Sequence, residues 1–226
     1  MSEARGLAME HMKKRSGAIV VTPNPEIVML SRKNAELSEA LTEADLVLAD
    51  GIGIIYGAKI LRRPLKEKLP GIDFIQGLFP LIAEKNMSIF LLGAKPGVAE
   101  KAAQELENRF SGLKIAGTND GYFTDDEYVL EKINAVAPDL LLVCLGSPKQ
   151  ELWLKENAKK LDVGLMGGFG GALDVFAGVA QRAPERWQRL GLEWLYRIKS
   201  DPARISRLGA LPKFGFAVLG AALKKK

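Results

Sequence analysis

A chain of 226 residues with a net charge of +5 is long enough for one domain with a sizeable core, or for one domain with an appendage. Its one cysteine, Cys144, rules out an internal disulfide; its one histidine, His11 in a polar N-terminal segment, removes His-based catalysis and any His/Cys metal cluster. No apolar run approaches the ~20 residues that span a bilayer, and the opening MSEARGLAMEHMKKRSG has no signal-peptide core, so a cytosolic setting is expected.

Taken in order, the chain alternates apolar runs with helical patterns. Glu3–Arg15 reads as a helix and Ala18–Val21 as a short strand ending at Thr22. Pro25 opens a helix over Glu26–Ser31, and a second helix covers Asn34–Glu43. Leu46–Leu48 reads as a buried parallel strand that stops at Asp50-Gly51, with a glycine-bearing helix over Gly51–Leu61. A basic loop, Arg62–Asp73, leads to a helix over Phe74–Lys85. Strands are expected at Met87–Leu92, Lys114–Ala116, Asp139–Leu145 and Val163–Met166, with helices from Gly97 to Phe110, over Asp125–Val136 and from Gln150 to Lys160. This repetition predicts an α/β fold: a Rossmann-like, doubly wound parallel sheet with helices on both faces. Polar or glycine-rich signals follow all six strands, at Thr22, Asp50, Gly93, Gly117, Gly146 and Gly167, so parallel strands would gather them at one rim.

Charge divides the chain. Residues 178–226 hold eleven Lys/Arg and three acids, which is +8 and leaves −3 for residues 1–177. The expected organisation is a core over residues 1–178 and a basic helical appendage over 179–226. Trp187, Trp194 and Tyr196 are interspersed with Arg186, Arg189 and Arg197, and the apolar PKFGFAVLGAAL precedes Lys224–Lys226. That mixture favours a bilayer interface over helices merely packed on the domain.

At the rim, Asp50 has two readings that stand equal: a carboxylate at the lip of a strand, suited to a general base, or an N-cap for the next helix. The GAKPG turn after Gly93 resembles neither a P-loop nor GxGxxG, and a tight strand–helix connection accounts for it best. GGFGGALD (167–174) is a stronger signal, because Gly168, Gly170 and Gly171 allow close backbone approach. Asp174 could accept from a ribose or base, Gln150 suits hydroxyl or phosphate recognition, and Tyr122 either stacks on a flat ring or fills the core.

Together the segments TPNPEIVML (22–30), ADLVLADGIGI (44–54), PGID (70–73), LLGAKPGVAEKAA (91–103), NDGYF (119–123), DLLLVCLGSPKQELW (139–153), GGALDVFAG (170–178), RAPER (182–186) and GLEWLYR (191–197) resemble the WecG/TagA/CpsF glycosyltransferase family, from about Ala18 to about Gly215. The resemblance implies an inverting hexosyltransferase. It would move a sugar from a UDP-sugar to a polyprenyl-diphosphate-linked acceptor on the inner face of the cytoplasmic membrane, as a peripheral protein. The teichoic-acid branch is the nearest in pattern, with UDP-N-acetylmannosamine as donor and undecaprenyl-diphospho-N-acetylglucosamine as acceptor. UDP-N-acetylmannosaminuronic acid or UDP-glucose would be the donor in other branches.

The resemblance places the base on Asp50 and active-site polar groups on Thr22, Asn24 and Gln150. It sets the uridine pocket near Tyr122 and Asp174, and places arginines that reach the site from the appendage on Arg197, Arg204 and Arg207. Gly93, Gly146, Gly168, Gly170 and Gly171 complete the binding candidates. Lys68 stands where many members carry an arginine facing the diphosphate; lysine keeps the charge and loses the two-pronged fork. No DxD-like carboxylate cluster is present, so metal-independent transfer without a cofactor is expected. No nucleic-acid partner is expected, and homo-oligomerisation is left open. The rival classes are a soluble nucleotide-sugar epimerase or dehydrogenase, which would be expected to show GxGxxG or a Tyr-x-x-x-Lys pair, both read as absent, and a non-catalytic membrane module.

Overall fold

The computed structural model describes residues 1–200 and 209–224. In chain order the elements are α1 (Ser2–Lys14), β1 (Ala18–Val21), α2 (Pro25–Ser31), α3 (Ala35–Thr42), β2 (Leu46–Val47), α4 (Ile52–Ile60), α5 (Gly71–Gln76), α6 (Phe79–Glu84), β3 (Ser88–Gly93), α7 (Val98–Arg109), β4 (Lys114–Asn119), α8 (Asp126–Val136), β5 (Leu140–Cys144), α9 (Lys149–Asn157), β6 (Leu165–Gly168), α10 (Ala172–Phe176), α11 (Glu185–Arg189), α12 (Glu193–Ser200) and α13 (Ala210–Leu223). The strands form one sheet in the order β2-β1-β6-β5-β3-β4, with every pairing parallel.

Strand side chains alternate between faces, and this sorts the core into two layers. Ile89, Leu91, Leu140, Leu142 and Leu165 pack with α1, α5, α6, α7 and α10. Phe90, Leu92, Leu141, Val143 and Met166 pack with α8 and α9. Both faces of the central strands are therefore covered, which is why they read as unbroken apolar runs. Local chemistry sets the helix starts: Asn24, Asn34 and Asp125 each accept a hydrogen bond from the backbone N–H three residues on.

Three expected elements differ. The strand before Asp50 is a two-residue edge strand, not a buried one; Val47 is 53 % exposed there, and only Leu48 beyond it is buried. The helix expected over Phe74–Lys85 is two helices, broken at Gly77-Leu78. The break has a local cause, since Gly77 ends the first helix and Pro80, in the first turn of the second, has no N–H to continue the ladder; the Arg5 guanidinium also packs on Gly77 and donates to the Asp73 carbonyl at 2.8 Å. β4 runs on through Gly117, where the Phe90 ring leaves no room for a side chain: a Cβ would be 2.7 Å from it.

Beyond α10 the chain adds α11, α12 and α13. Trp187 of α11 and Tyr196 of α12 meet edge-on with centroids 5.8 Å apart. α13 packs on α2 and α4, with Phe214 and Val218 seated against Gly57. The helices that leave β1 and β2 at the rim are thus the ones that hold α13. Among the described residues no helix is long and apolar enough to cross a membrane.

Candidate active site

The strand ends gather as the parallel order requires, and a narrow cleft of about 50 Å³ opens beside β1. Thr22, Asp50, Gly71, Phe169, Gly171 and Glu193 are among the residues lining it. Asp50 does not cap α4. Gly51 is the N-cap, at φ 90°, and no side chain caps that helix. The Asp50 N–H instead donates to the Pro23 carbonyl at 3.1 Å, and its Oδ2 accepts from the Gly71 N–H at a long 3.5 Å. Backbone contacts on both sides therefore aim the carboxylate into the cleft. A carboxylate so placed can accept a proton from a hydroxyl brought beside it.

Thr22 is buried, and its hydroxyl donates to the Gly168 carbonyl at 3.2 Å. Its methyl packs so closely on Gly71 that a Cβ there would be 2.9 Å away. Gln150 is only 2 % exposed. Its Oε1 accepts from the Gly170 N–H at 2.9 Å, and its Nε2 donates to Glu151 Oε1 at 2.8 Å. Glu151, equally buried, also accepts from the Ser147 hydroxyl at 2.8 Å. Gln150 thus lies under the glycine loop as its support, with both ends of its amide engaged. Gly168 is required by this packing, since a Cβ would stand 2.7 Å from Gln150 Nε2. Asn24 is the α2 cap, accepting from the Ile27 N–H at 3.0 Å.

The other candidates lie further along the rim. β3 leads outward to β4 while β5 leads inward to β6, so the β3/β5 pair is a topological switch point, where α/β sheets open a crevice. Gly93 and Gly146 flank it. Gly93, at φ 130°, has the Cys144 carbonyl 2.4 Å from a would-be Cβ, so strand packing demands it, whereas Gly146 faces open space. Tyr122 follows β4 and is 67 % exposed, so it is not a core aromatic; the Asp120 carboxylate accepts from its N–H at 2.8 Å. Asp174 sits in the first turn of α10, with its carboxylate 3.4 Å from a Cβ built on Gly171, while Gly170 adopts φ 54°. Neither Tyr122 nor Asp174 lines the cleft that holds Asp50. Lys68 is half-exposed in the loop that reaches the cleft at Pro70. Arg197 lies on α12, and Arg204 and Arg207 lie outside the described residues.

Near the rim, Cys144 and Arg182 carry perturbed ionisation. Burial pushes the Cys144 thiol up to about 12, reinforced by the Asp174 charge and opposed by hydrogen bonds from the Leu173 and Ala172 backbone. Burial pulls the Arg182 guanidinium down, but hydrogen bonds and charge from Asp73, with Glu193, outweigh it and hold the pKa above its ordinary value. Arg182 reaches Asp73 through two hydrogen bonds, of 2.5 and 2.8 Å. Glu151, Asp73, Arg182 and Glu193 were not singled out from sequence. Gln150's burial did have a signal: Gln150, Trp153, Leu154 and Asn157 fall at i, i+3, i+4 and i+7, one buried face of α9.

A larger cavity, of about 420 Å³, lies away from the rim between α3, α9 and the start of β1. Among its charged groups Arg15 pairs with Asp162 at 2.8 Å, and Lys155 with Glu39. Contrary to the sequence reading, the Tyr-x-x-x-Lys spacing of the dehydrogenase alternative does occur, at Tyr128 and Lys132 on α8. Tyr128 points to solvent and Lys132 donates to Asn119 at 3.2 Å, and neither lines the Asp50 cleft.

A parallel sheet whose C-terminal rim gathers a carboxylate, buried polar groups and a glycine-rich loop defines an α/β protein with a rim-bound small-molecule site. The chain belongs to the Glycosyl transferase WecG/TagA/CpsF family, whose sequence profile matches residues 1–226. It is 35 % identical over 213 residues, 94 % of this chain and 83 % of the relative, to a Bacillus spizizenii protein named N-acetylglucosaminyldiphosphoundecaprenol N-acetyl-beta-D-mannosaminyltransferase. Relatives of the same name in Bacillus subtilis and Staphylococcus aureus are 32 % identical over 220 residues and 34 % over 207, covering 97 and 92 % of this chain and 86 and 82 % of the relatives.

Proposed function

We propose that the protein transfers N-acetylmannosamine, with inversion, from UDP-N-acetylmannosamine to undecaprenyl-diphospho-N-acetylglucosamine, the acceptor that its relatives' shared name describes. That name, borne by relatives aligned over more than nine-tenths of this chain, is the observation that carries the reading. Asp50 is the base. It takes the proton of the acceptor hydroxyl as that oxygen attacks the anomeric carbon and the bond to UDP breaks. Thr22 and Gln150 hold the Gly168–Gly171 loop against which the donor lies. Tyr122 and Asp174, beyond the β3/β5 switch point, receive the uridine. Arg197, Arg204 and Arg207, with Lys68, stabilise the charge gathering on the leaving diphosphate. Transfer needs no metal.

The acceptor is a lipid, and we place the protein peripherally on the inner membrane face. Support comes from α13. Phe214 and Val218 turn one side of that helix to α2 and α4, while Phe216, Leu219 and Leu223 form an exposed apolar stripe on the opposite side. An apolar stripe that is exposed among the described residues, in the chain's most basic region, suits the boundary of an anionic bilayer. The reading is tested by assaying the purified protein against a panel of UDP-sugars with a short-chain lipid-linked N-acetylglucosamine acceptor. Transfer from UDP-N-acetylmannosamine should exceed that from every other donor. A preference for UDP-glucose or UDP-N-acetylmannosaminuronic acid would move the protein to another branch of its family, and no transfer from any donor would overturn the reading.

A further inference from the structure

Glu193 is the one residue of the C-terminal helices that lines the Asp50 cleft among the residues described. Its position has a visible cause. Arg182, only 19 % exposed in its side chain, lies between two carboxylates from different parts of the chain. One is Asp73 of α5, held by two hydrogen bonds at 2.5 and 2.8 Å. The other is Glu193 of α12, whose Oε1 stands 3.7 Å from Arg182 Nε, within ion-pair range and beyond hydrogen-bond range. Nε itself is buried with no hydrogen bond. The two arms are therefore unequal: a fork-to-fork grip on the core and a looser grip on the appendage. Asp73 is tied in turn to α1, through Arg5.

We infer that Arg182 is a positioning residue that latches α12 across the catalytic cleft, gripping Asp73 of the core with one side of its guanidinium and Glu193 of the appendage with the other. The inference rests on the transferase reading for its consequence and on geometry alone for the latch. At about 50 Å³ the cleft holds one or two waters, so a sugar enters as the wall carrying Glu193 moves outward. Closing the looser arm afterwards returns α12 to the cleft. Arg182 also offsets a second carboxylate beside Asp50, in a cleft that must take an anionic diphosphate. The packing of Gly191, where a Cβ would be 2.9 Å from Ile52, brings the chain into α12 close against α4, and the Arg182–Glu193 pair adds to the seating of that helix.

The test uses the full chain with Glu193→Gln, Arg182→Ala, Arg182→Lys and the Arg182→Ala/Glu193→Gln pair. Four quantities are read: the thermal midpoint, UDP affinity, kcat and KM for the lipid acceptor, and the rate at which proteinase K removes the segment after residue 190. Glu193→Gln should keep the midpoint within ~2 °C and leave UDP affinity unchanged. It should lower kcat about three- to tenfold and speed proteolytic release by a similar factor, as expected for losing a partly buried charge pair. Arg182→Lys should behave as Arg182→Ala does in kcat and proteolysis, because an ammonium cannot grip Asp73 with a fork while facing Glu193. In the paired variant kcat should fall no further, and release should speed up no further, than with Arg182→Ala alone. Effects that multiply, or Glu193→Gln with wild-type release and kcat, would overturn the latch. Proteolysis needs no substrate, so the latch and the transferase reading fail separately.

Discussion

Replacing Gln150 by alanine separates a loop support from a substrate contact. The side chain is 2 % exposed, its Oε1 holds the Gly170 N–H at 2.9 Å, and its Nε2 holds Glu151 at 2.8 Å. Alanine leaves a buried amide and a buried carboxylate each short of a partner, at ~1–3 kcal/mol apiece, and a cavity besides. The sum is about 3–6 kcal/mol. For a domain of 150–250 residues each kcal/mol moves the thermal midpoint by ~2–4 °C, so Gln150→Ala should lose about 6–24 °C. Gln150→Glu restores an acceptor for Gly170 but sets a second carboxylate against Glu151, so it should be destabilised too. Calorimetry with UDP-sugar titration should show midpoint, donor affinity and turnover all falling in Gln150→Ala. A midpoint within ~2 °C of wild type, with normal donor affinity and lost turnover, would refute the support role and return Gln150 to direct contact with the substrate.

Transfer should survive EDTA; loss of activity restored by manganese or magnesium would show that the reaction uses a metal. Cys144 should resist alkylation in the folded protein at neutral pH, its thiol being held up to about 12. Because the folded pKa exceeds the unfolded one, its contribution is intact below pH ~9 and declines by ~1.4 kcal/mol per unit as pH rises toward 12. A Cys144→Ala variant should therefore lose less stability than wild type across that window, as measured by denaturant unfolding. On α13, Phe216→Glu should weaken binding to anionic vesicles and leave the thermal midpoint in place, since Phe216 is 75 % exposed. Val218→Glu should lower the midpoint, because Val218 is buried against Gly57. Equal effects of both variants on stability would mean that the exposed stripe packs on protein.

The central sheet was legible because strands covered on both faces cannot alternate in polarity; Leu140–Cys144 and Ser88–Gly93 announce themselves. The edge strand before Asp50 was overestimated, since two residues paired on one side carry no such pattern. The rim was legible through where the apolar runs stop, at Thr22, Asp50 and Gly168. What each rim residue does there was less so. Asp50 read equally well as a cap until Gly51 took that place, and Asn24 proved to be a cap whose Asn-Pro-Glu pattern had pointed to a helix start. The Arg182–Asp73 pair joins residues 109 apart, and the Arg5 contact on Asp73 joins residues 68 apart. No local spacing encodes either one; both exist only once α1, α5 and the chain after α10 converge.

Transfer at the β1–β2 rim with Asp50 as base is tested by single-turnover transfer from UDP-N-acetylmannosamine to the lipid-linked acceptor, measured for wild type and Asp50→Asn beside calorimetric titration of the donor. Asparagine keeps the shape and removes the proton acceptor. The account predicts donor affinity within about threefold of wild type and turnover at least about a hundredfold lower, the usual worth of a general base. An Asp50→Asn enzyme that turns over within about tenfold of wild type would contradict it.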